Sequence, residues 1–303
     1  MPDDLLKTSS KFVLKANFNP NFYILDKNNI ETFLGRGGFG DVYRAKLKDN
    51  TPEMGLPEEV AVKSVMWKVP KGYELTEWNF LKRGFDLKHK NLVELFYLSI
   101  EVVRDENFQQ IYMELCEDEL NRYIERREVS LSDIKHALTG VLRGLQHLHH
   151  QNIIHRDVKP QNILLKRTRA ESSFIIDMVV KLTDLNIMKL IPDENTSATN
   201  TAGMGSRGFC APEVLLIQEG GKTKYGTSCD VWSVGVLAYK LRTKTMFASE
   251  HDIRAGALNF QDKLKNVPEK NLQMFLTECL KLKPKVRETC QGLLCHNFLT
   301  EQD

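Results

Sequence analysis

The sequence predicts a bilobal α+β chain with a small β-rich N-lobe carrying one main helix and a larger, mostly helical C-lobe. Three observations carry that expectation. Residues 22–65 contain runs rich in β-branched and aromatic residues, FYILD, FGDVYRAKL and VAVKSV, whose alternation suits antiparallel strands. Residues 130–150 place Ile134, Leu138, Val141, Leu142, Leu145 and Leu148 at helical spacing. The character of the chain changes after Cys116, from strands to helices, as in folds whose element types are segregated.

Taken in order, residues 1–21 are polar and mixed, with Asn17, Asn19, Pro20 and Asn21 near their end. They are expected to form an extension that is poorly ordered or packed on the surface. Asp49 to Glu59 is rich in Pro, Gly and charge, so it reads as a long hairpin connection. Residues 74–83 are expected to be helical, and LVELFYLSIEVV and QQIYMELC to be strands. The expected organisation is an extension over 1–21, an N-lobe over 22–116 and a C-lobe over 117–303, with one domain overall over about 30–299. The Ser132/Asp133 pair offers an N-cap for the helix that ends near His150. CDVWSVGVLAYKL and the segments after it read mainly as helices.

Composition excludes several classes. The 303 residues are 42% hydrophobic and 27% charged, enough for two separate cores. Lys plus Arg is 42 and Asp plus Glu is 40, a net charge of +2, which gives no support for nucleic-acid binding. MPDDLLKTSSKFVLK lacks a cationic start followed by an apolar run, so no signal peptide is expected. No long apolar run predicts a membrane span. With Pro at residue 2 and a C-terminal Thr-Glu-Gln-Asp, lipidation signals are not expected either. The six cysteines, at 116, 210, 229, 279, 290 and 295, form no C-x-x-C pair, which fits a reduced intracellular chain, cytoplasmic and/or nuclear. Cys290, Cys295 and His296 can be imagined as metal ligands. A C-terminal helix with buried thiols is the preferred reading, because no second ligand pair accompanies them.

The chemistry concentrates in His155-Arg156-Asp157-Val158-Lys159-Pro160-Gln161-Asn162. Asp157 can take a proton from a hydroxyl nucleophile, Lys159 can neutralise a transferring phosphate, and the side-chain oxygen of Asn162 suits Mg2+. Upstream, Gly35-Arg36-Gly37-Gly38-Phe39-Gly40-Asp41-Val42 fits G-x-G-x-x-G-x-V, in which glycines let backbone N–H groups approach phosphate oxygens. That triplet also occurs in dinucleotide-binding loops, but those open a helix, and Asp41-Val42-Tyr43-Arg44-Ala45 is strand-like. Val60-Ala61-Val62-Lys63 puts a lysine on a largely apolar strand, where an ion partner is expected.

Together these motifs resemble the eukaryotic protein kinases. The catalytic string matches H-R-D-x-x-x-x-N, and Val60-Ala61-Val62-Lys63 matches V-A-I-K. Thr183-Asp184-Leu185-Asn186 stands at the D-F-G position, with Leu185 for Phe and Asn186 for Gly. Ala211-Pro212-Glu213 matches A-P-E, and Asp230-Val231-Trp232-Ser233-Val234-Gly235 resembles D-x-W-S-x-G. All occur in the family's order over residues 34–299. Two intervals are longer than the family usually shows. One precedes His89-Lys90-Asn91-Leu92-Val93. The other spans the 22 positions from Asn162 to Asp184, with the surplus at 166–173, which reads as a longer hairpin loop.

The resemblance implies the following roles. Asp157 orients the substrate hydroxyl and finally accepts its proton, and Lys159 stabilises the transferring phosphate. Asn162 and Asp184 hold Mg2+. Lys63 meets the ATP phosphates and pairs with a glutamate on the following helix. Glu74 and Glu77 compete for that place, and Glu77 is preferred because Leu81 lies one turn on along the same face. The adenine is expected among Leu34, Val42, Ala61 and Leu164, with Met113 behind it and the backbone of Glu114 and Cys116 at its edge. Asp230 steadies the catalytic loop, and Arg287 pairs with Glu213.

Lys159 two residues after Asp157, and Ser206 placed to bond Asp157 and Lys159, imply serine/threonine substrates in proteins. ATP and Mg2+ are the implied cofactors. The polar run 192–201 reads as an activation segment for an upstream kinase, with Thr196, Ser197, Thr199 and Thr201 all open as acceptors and Arg156 and Lys189 as phosphate partners. Two alternatives stand beside this reading. One is a nucleotide-binding scaffold without turnover, suggested by Asp184-Leu185-Asn186. The other is a small-molecule kinase, disfavoured by Ala211-Pro212-Glu213 and the helices after it.

Overall fold

The computed structural model describes residues 10–13, 18–37, 40–49, 55–67, 87–103, 106–168, 175–184, 189–190, 206–216, 225–254 and 258–301. The chain divides into two compact units, Met1–Glu74 with Val93–Cys116, and Leu75–Leu92 with Glu117–Asp303. The first is a sheet and the second is mainly helical, so the class is α+β.

The first unit is a seven-stranded antiparallel sheet. Its strands are β1 (Ser10–Val13), β2 (Tyr23–Ile24), β3 (Phe33–Gly37), β4 (Gly40–Leu47), β5 (Glu59–Trp67), β6 (Leu95–Val103) and β7 (Glu106–Glu114). The order is β1-β6-β7-β5-β4-β2, with β3 paired to β4. Alternation sends Val60, Val62, Tyr97 and Tyr112 to one face, where they pack with Phe18, Tyr23, Ala45 and Phe96. The Tyr23 hydroxyl donates to the Pro57 carbonyl at 2.8 Å, which satisfies its polar end in the core.

Two expectations change here. The strand expected over FYILD shortens to Tyr23–Ile24, because Asn19 accepts from the Asn21 N–H and starts a 3-10 turn over Pro20–Phe22. The segment read as an extension contributes Ser10–Val13 as an edge strand on β6 and Phe18 to the core, where its ring stacks on Tyr23 at 5.1 Å. The helix expected over 74–83 lies outside the described residues.

In the second unit, β8 (Asp118–Glu119) leads into α1 (Leu120–Arg126) and then α2 (Leu131–His150). The helical apolar series of α2 is buried throughout: Ile134, Leu138, Val141, Leu142, Leu145 and Leu148. Its N-cap is Ser130, not Ser132. The Ser130 hydroxyl accepts from the Asp133 N–H at 3.0 Å while the Asp133 carboxylate accepts from the Ser130 N–H, a capping box. Asp133 thus belongs to the cap as its third helical residue. Gly140 lets α2 approach the following hairpin, since a Cβ there would lie 2.7 Å from the Val180 Cβ.

After α2 come β9 (Ile153–Ile154), β10 (Ile163–Arg167), β11 (Met178–Leu182) and β12 (Lys189–Leu190). β10 and β11 form the hairpin predicted between Asn162 and Asp184, with β8 on its other side, and β12 pairs with β9. The helices α3 (Pro212–Leu215), α4 (Ser228–Thr243), α5 (Glu250–Arg254), α6 (Phe260–Leu264), α7 (Lys270–Cys279), α8 (Cys290–Leu294) and α9 (Asn297–Thr300) follow among the described residues of the unit. Cys229 through Tyr239 of α4 are all buried, so this helix is the axis of the core, with Phe247 packed edge-on against Trp232 and Tyr239. No described helix is long and apolar enough to cross a membrane.

Candidate active site

On the sheet unit, the glycine-rich turn joins β3 to β4, with Gly37 opposite Gly40. Gly38 and Phe39 lie outside the described residues. Gly40 has φ 151°, and a Cβ there would sit 2.3 Å from the Ser64 carbonyl oxygen, so only glycine fits against β5. The exposed Arg36 side chain crosses the same hairpin to Asp41 at 2.6 Å. Leu34 and Gly35 lie on β3 and are partly buried. Val42 on β4 is registered with Lys63 on β5, and Lys63 with Ile111 on β7. The Lys63 residue is only 8% exposed. Ala61 is registered with Met113, and both are buried. Glu114 donates its N–H to the Glu94 carbonyl while its carboxylate accepts the Glu94 N–H, which fixes the end of β7 just before Cys116. Glu77 lies outside the described residues.

On the helical unit, the catalytic string runs from β9 to β10, and its backbone is held from below. Asp230, near the start of α4, is fully buried. Its Oδ2 accepts the His155 N–H and the His149 Nε2–H, both at 2.9 Å, and its Oδ1 accepts the Arg156 N–H at 2.8 Å. Burial alone would raise this carboxyl, but the bond from His149 and the backbone donors outweigh it and hold the group below the usual carboxylate range. Arg156 has φ 75°, a costly conformation for a non-glycine residue, and its guanidinium lies 5.7 Å from the centre of the Tyr225 ring.

Asp157 follows, 2% exposed. Its Oδ1 accepts the Ser206 N–H at 2.8 Å, and its Oδ2 accepts from Asn162 Nδ2 and Lys159 Nζ, both at 2.7 Å. Burial would raise this carboxyl too, but the Lys159 hydrogen bond and charge, with the Ser206 and Asn162 donors, hold it low. Lys159 also donates to the Ser206 hydroxyl at 2.6 Å, so Ser206 reaches both members of the pair. Asn162 gives its NH2 to the Asp157 carbonyl and carboxylate, which orients the carboxamide oxygen away from them. The Asn162 carbonyl accepts the Thr183 N–H at 3.0 Å, which ties the residue before Asp184 to this loop. His155 Nε2 donates to the Thr183 carbonyl at 2.9 Å. Asp184 itself has φ 66°. Leu185, Asn186 and the run 192–201 lie outside the described residues. Leu164 sits on β10, opposite Lys181 and Glu119.

A carboxylate and a carboxamide oxygen are hard donors. Mg2+ takes only one or two protein oxygens and fills its octahedron with water and phosphate, so Asp184 and Asn162 fit that ion. Cys290 and His296 do not meet as ligands. The Cys290 thiol faces His149, the His296 ring accepts the Phe298 N–H, and Cys295 is exposed. Among the described residues no group of three or more His, Cys, Asp or Glu side chains can hold a metal.

Sequence reasoning missed His149 and the buried role of His155. The only available signal was a run of histidines at the end of α2, just before the catalytic string. Glu213 and Arg287 form the expected pair, with two bonds at 2.7 and 3.1 Å, and the Arg287 side chain is fully buried over Trp232.

Comparison with known proteins places this geometry. The protein kinase domain family matches residues 29–299. The Serine/threonine-protein kinase shk2 of Schizosaccharomyces pombe is 29% identical over 281 residues, which are 90% of this chain and 44% of the relative. The Calcium/calmodulin-dependent protein kinase type 1 of Caenorhabditis elegans is 29% identical over 290 residues, 93% of this chain and 76% of the relative. The Serine/threonine-protein kinase unc-51 of the same nematode is 29% identical over 276 residues, 88% of this chain and 31% of the relative. The chain therefore spans less than half of the first and third of these proteins.

Proposed function

The chain belongs to the protein kinase family as a domain of the serine/threonine type, and from that premise we propose that it transfers the γ-phosphate of ATP to serine and threonine hydroxyls of protein substrates in a Mg2+-dependent reaction. The observation that carries this reading is the set of bonds around Asp157. Its carboxylate accepts three hydrogen bonds, two on Oδ2 and one on Oδ1. A carboxylate has about four acceptor sites, so one on Oδ1 remains for an incoming hydroxyl.

A carboxylate held below its ordinary range is a weak base toward a ground-state alcohol. Asp157 therefore orients the hydroxyl and takes its proton late, as the new oxygen–phosphorus bond forms and the bond to ADP breaks. Lys159, fixed by Asp157 and Ser206, supplies positive charge to the transferring phosphoryl oxygens. Asn162 and Asp184 would hold Mg2+, which when bound neutralises charge on the ATP phosphates. On the sheet unit, Gly35, Arg36, Gly37, Gly38, Phe39, Gly40 and Lys63 are assigned to the phosphates, with Glu77 as the partner of Lys63. Leu34, Val42, Ala61, Met113, Glu114, Cys116 and Leu164 are assigned to the adenine. Lys63 lies on an otherwise apolar, buried stretch of β5, where a charge needs a partner.

Transfer of label from γ-labelled ATP to a generic basic protein tests this reading. Wild type is expected to label it, and Asp157→Asn and Lys63→Met to fall by roughly 100-fold or more, the range for loss of a positioned general base or charge. Full transfer by Asp157→Asn would remove Asp157 from its role. Nucleotide binding without transfer in wild type would make the domain a scaffold.

A further inference from the structure

α8 begins at Cys290 because Thr289 caps it, with its hydroxyl accepting the Gly292 N–H at 3.1 Å. That start sets the Cys290 side chain, 3% exposed, against the end of α2, with Sγ 3.5 Å from His149 Nδ1. The other ring nitrogen of His149 lies 2.9 Å from Asp230 Oδ2. A carboxylate can only accept, so Nε2 carries a hydrogen. In a neutral imidazole Nδ1 is then a bare acceptor. Burial raises the Cys290 thiol well above its usual range, so it keeps its proton and can donate it. The chain of contacts continues from Asp230 to the backbone N–H groups of His155 and Arg156, directly ahead of Asp157. Arg156 is the residue held at φ 75°.

We propose that Cys290 is a positioning residue for phosphoryl transfer. Its S–H donates to His149 Nδ1 and holds the ring, whose Nε2–H is already set by Asp230, in place against Asp230 and the backbone that presents Asp157. The proposal rests on the kinase reading only for its kinetic consequence. Without the thiol donor, Nδ1 loses its protein partner and the ring is held at one end only, by Asp230. A ring free to turn weakens its bond to the Asp230 carboxylate, which loosens the hold of Asp230 on the Arg156 N–H.

Two measurements on the full chain test this. Long-range proton–nitrogen NMR of the histidine rings, with His149 assigned by a His149→Gln variant, reads the tautomer without any activity. Wild type is expected to show His149 neutral with hydrogen on Nε2. A charged ring, or hydrogen on Nδ1, overturns the proposal. In the phosphotransfer assay Cys290→Ala is expected to lose about three- to tenfold in kcat, the scale of one hydrogen bond, with KM for ATP unchanged. Cys290→Ser, which keeps a donor, is expected to restore it. Wild-type kcat in Cys290→Ala, or equal loss in the alanine and serine variants, overturns the proposal. If Cys290→Ala does not fold, the wild-type spectrum decides. If wild type transfers no phosphate, the kinase reading fails and the spectrum still judges Cys290.

Discussion

Asp157 and Lys159 share a hydrogen-bonded corner in which the ammonium sets the charge of the carboxyl. The Lys159 bond is the strongest influence that lowers the Asp157 carboxyl against the effect of burial. Lys159→Ala is therefore expected to raise the Asp157 pKa. In the proposed mechanism Asp157 acts as the ionised form, so the acid limb of kcat/KM should move to higher pH, as a pH–rate series on the variant would show. The second prediction at this scale concerns Arg287. Its guanidinium is fully enclosed, bound twice to Glu213 and also to the Ser228 and Lys281 carbonyls. Arg287→Ala leaves Glu213 and these carbonyls without their donor, and urea unfolding should show a loss of about 3–5 kcal/mol, typical for breaking a buried pair. At this scale much was legible, because Asp157, Lys159, Asn162 and Ser206 are residue types whose chemistry is readable from type and order. His149 was not, because a histidine on a helix gains its meaning only from what the fold puts beside it.

At the scale of elements, α2 was legible from its apolar series, and the strands from their alternation. Apart from β1, which lies in the segment read as an extension, the errors fell at their ends. Two serines compete to cap α2, and only the backbone geometry selects Ser130. Ser130→Ala should cost about 1 kcal/mol in thermal or urea unfolding, and Ser132→Ala much less. FYILD carries strand composition, yet Asn19 and Pro20 impose a turn that takes its first residue. The glycine hairpin is an element in which one position is decided by contact rather than propensity. Gly40→Ala would drive a Cβ into the Ser64 carbonyl and demand a left-handed backbone. It should lower nucleotide affinity in titrations with an ATP analogue while leaving the helical unit folded, as its near-ultraviolet dichroism would report.

At the scale of the whole molecule, the buried carboxylates held low among the described residues belong to one unit. Asp157 and Asp230 both lie in the helical unit, and both are held below the value of about 3.9 expected in the unfolded chain. Groups shifted in that direction contribute stability that is fully present above the unfolded pKa and lost as pH falls through the folded pKa. Melting followed from pH 7 downward should hold steady and then fall below about pH 4. Asp230→Asn should be less stable throughout and show a shallower fall. The amino-acid sequence alone determined the class of fold and the order of the family's motifs, and it named the groups proposed for acid–base and metal-binding chemistry. Those properties follow from local periodicity and from functional groups that do not depend on distant neighbours. The tertiary structure decided which buried carboxylates stay ionised, which histidine bonds Asp230 behind the His155–Arg156 backbone, and which glycine cannot be replaced. Each of those depends on atoms brought within about 3 Å from segments far apart in the chain, where burial removes water and makes one hydrogen bond decisive.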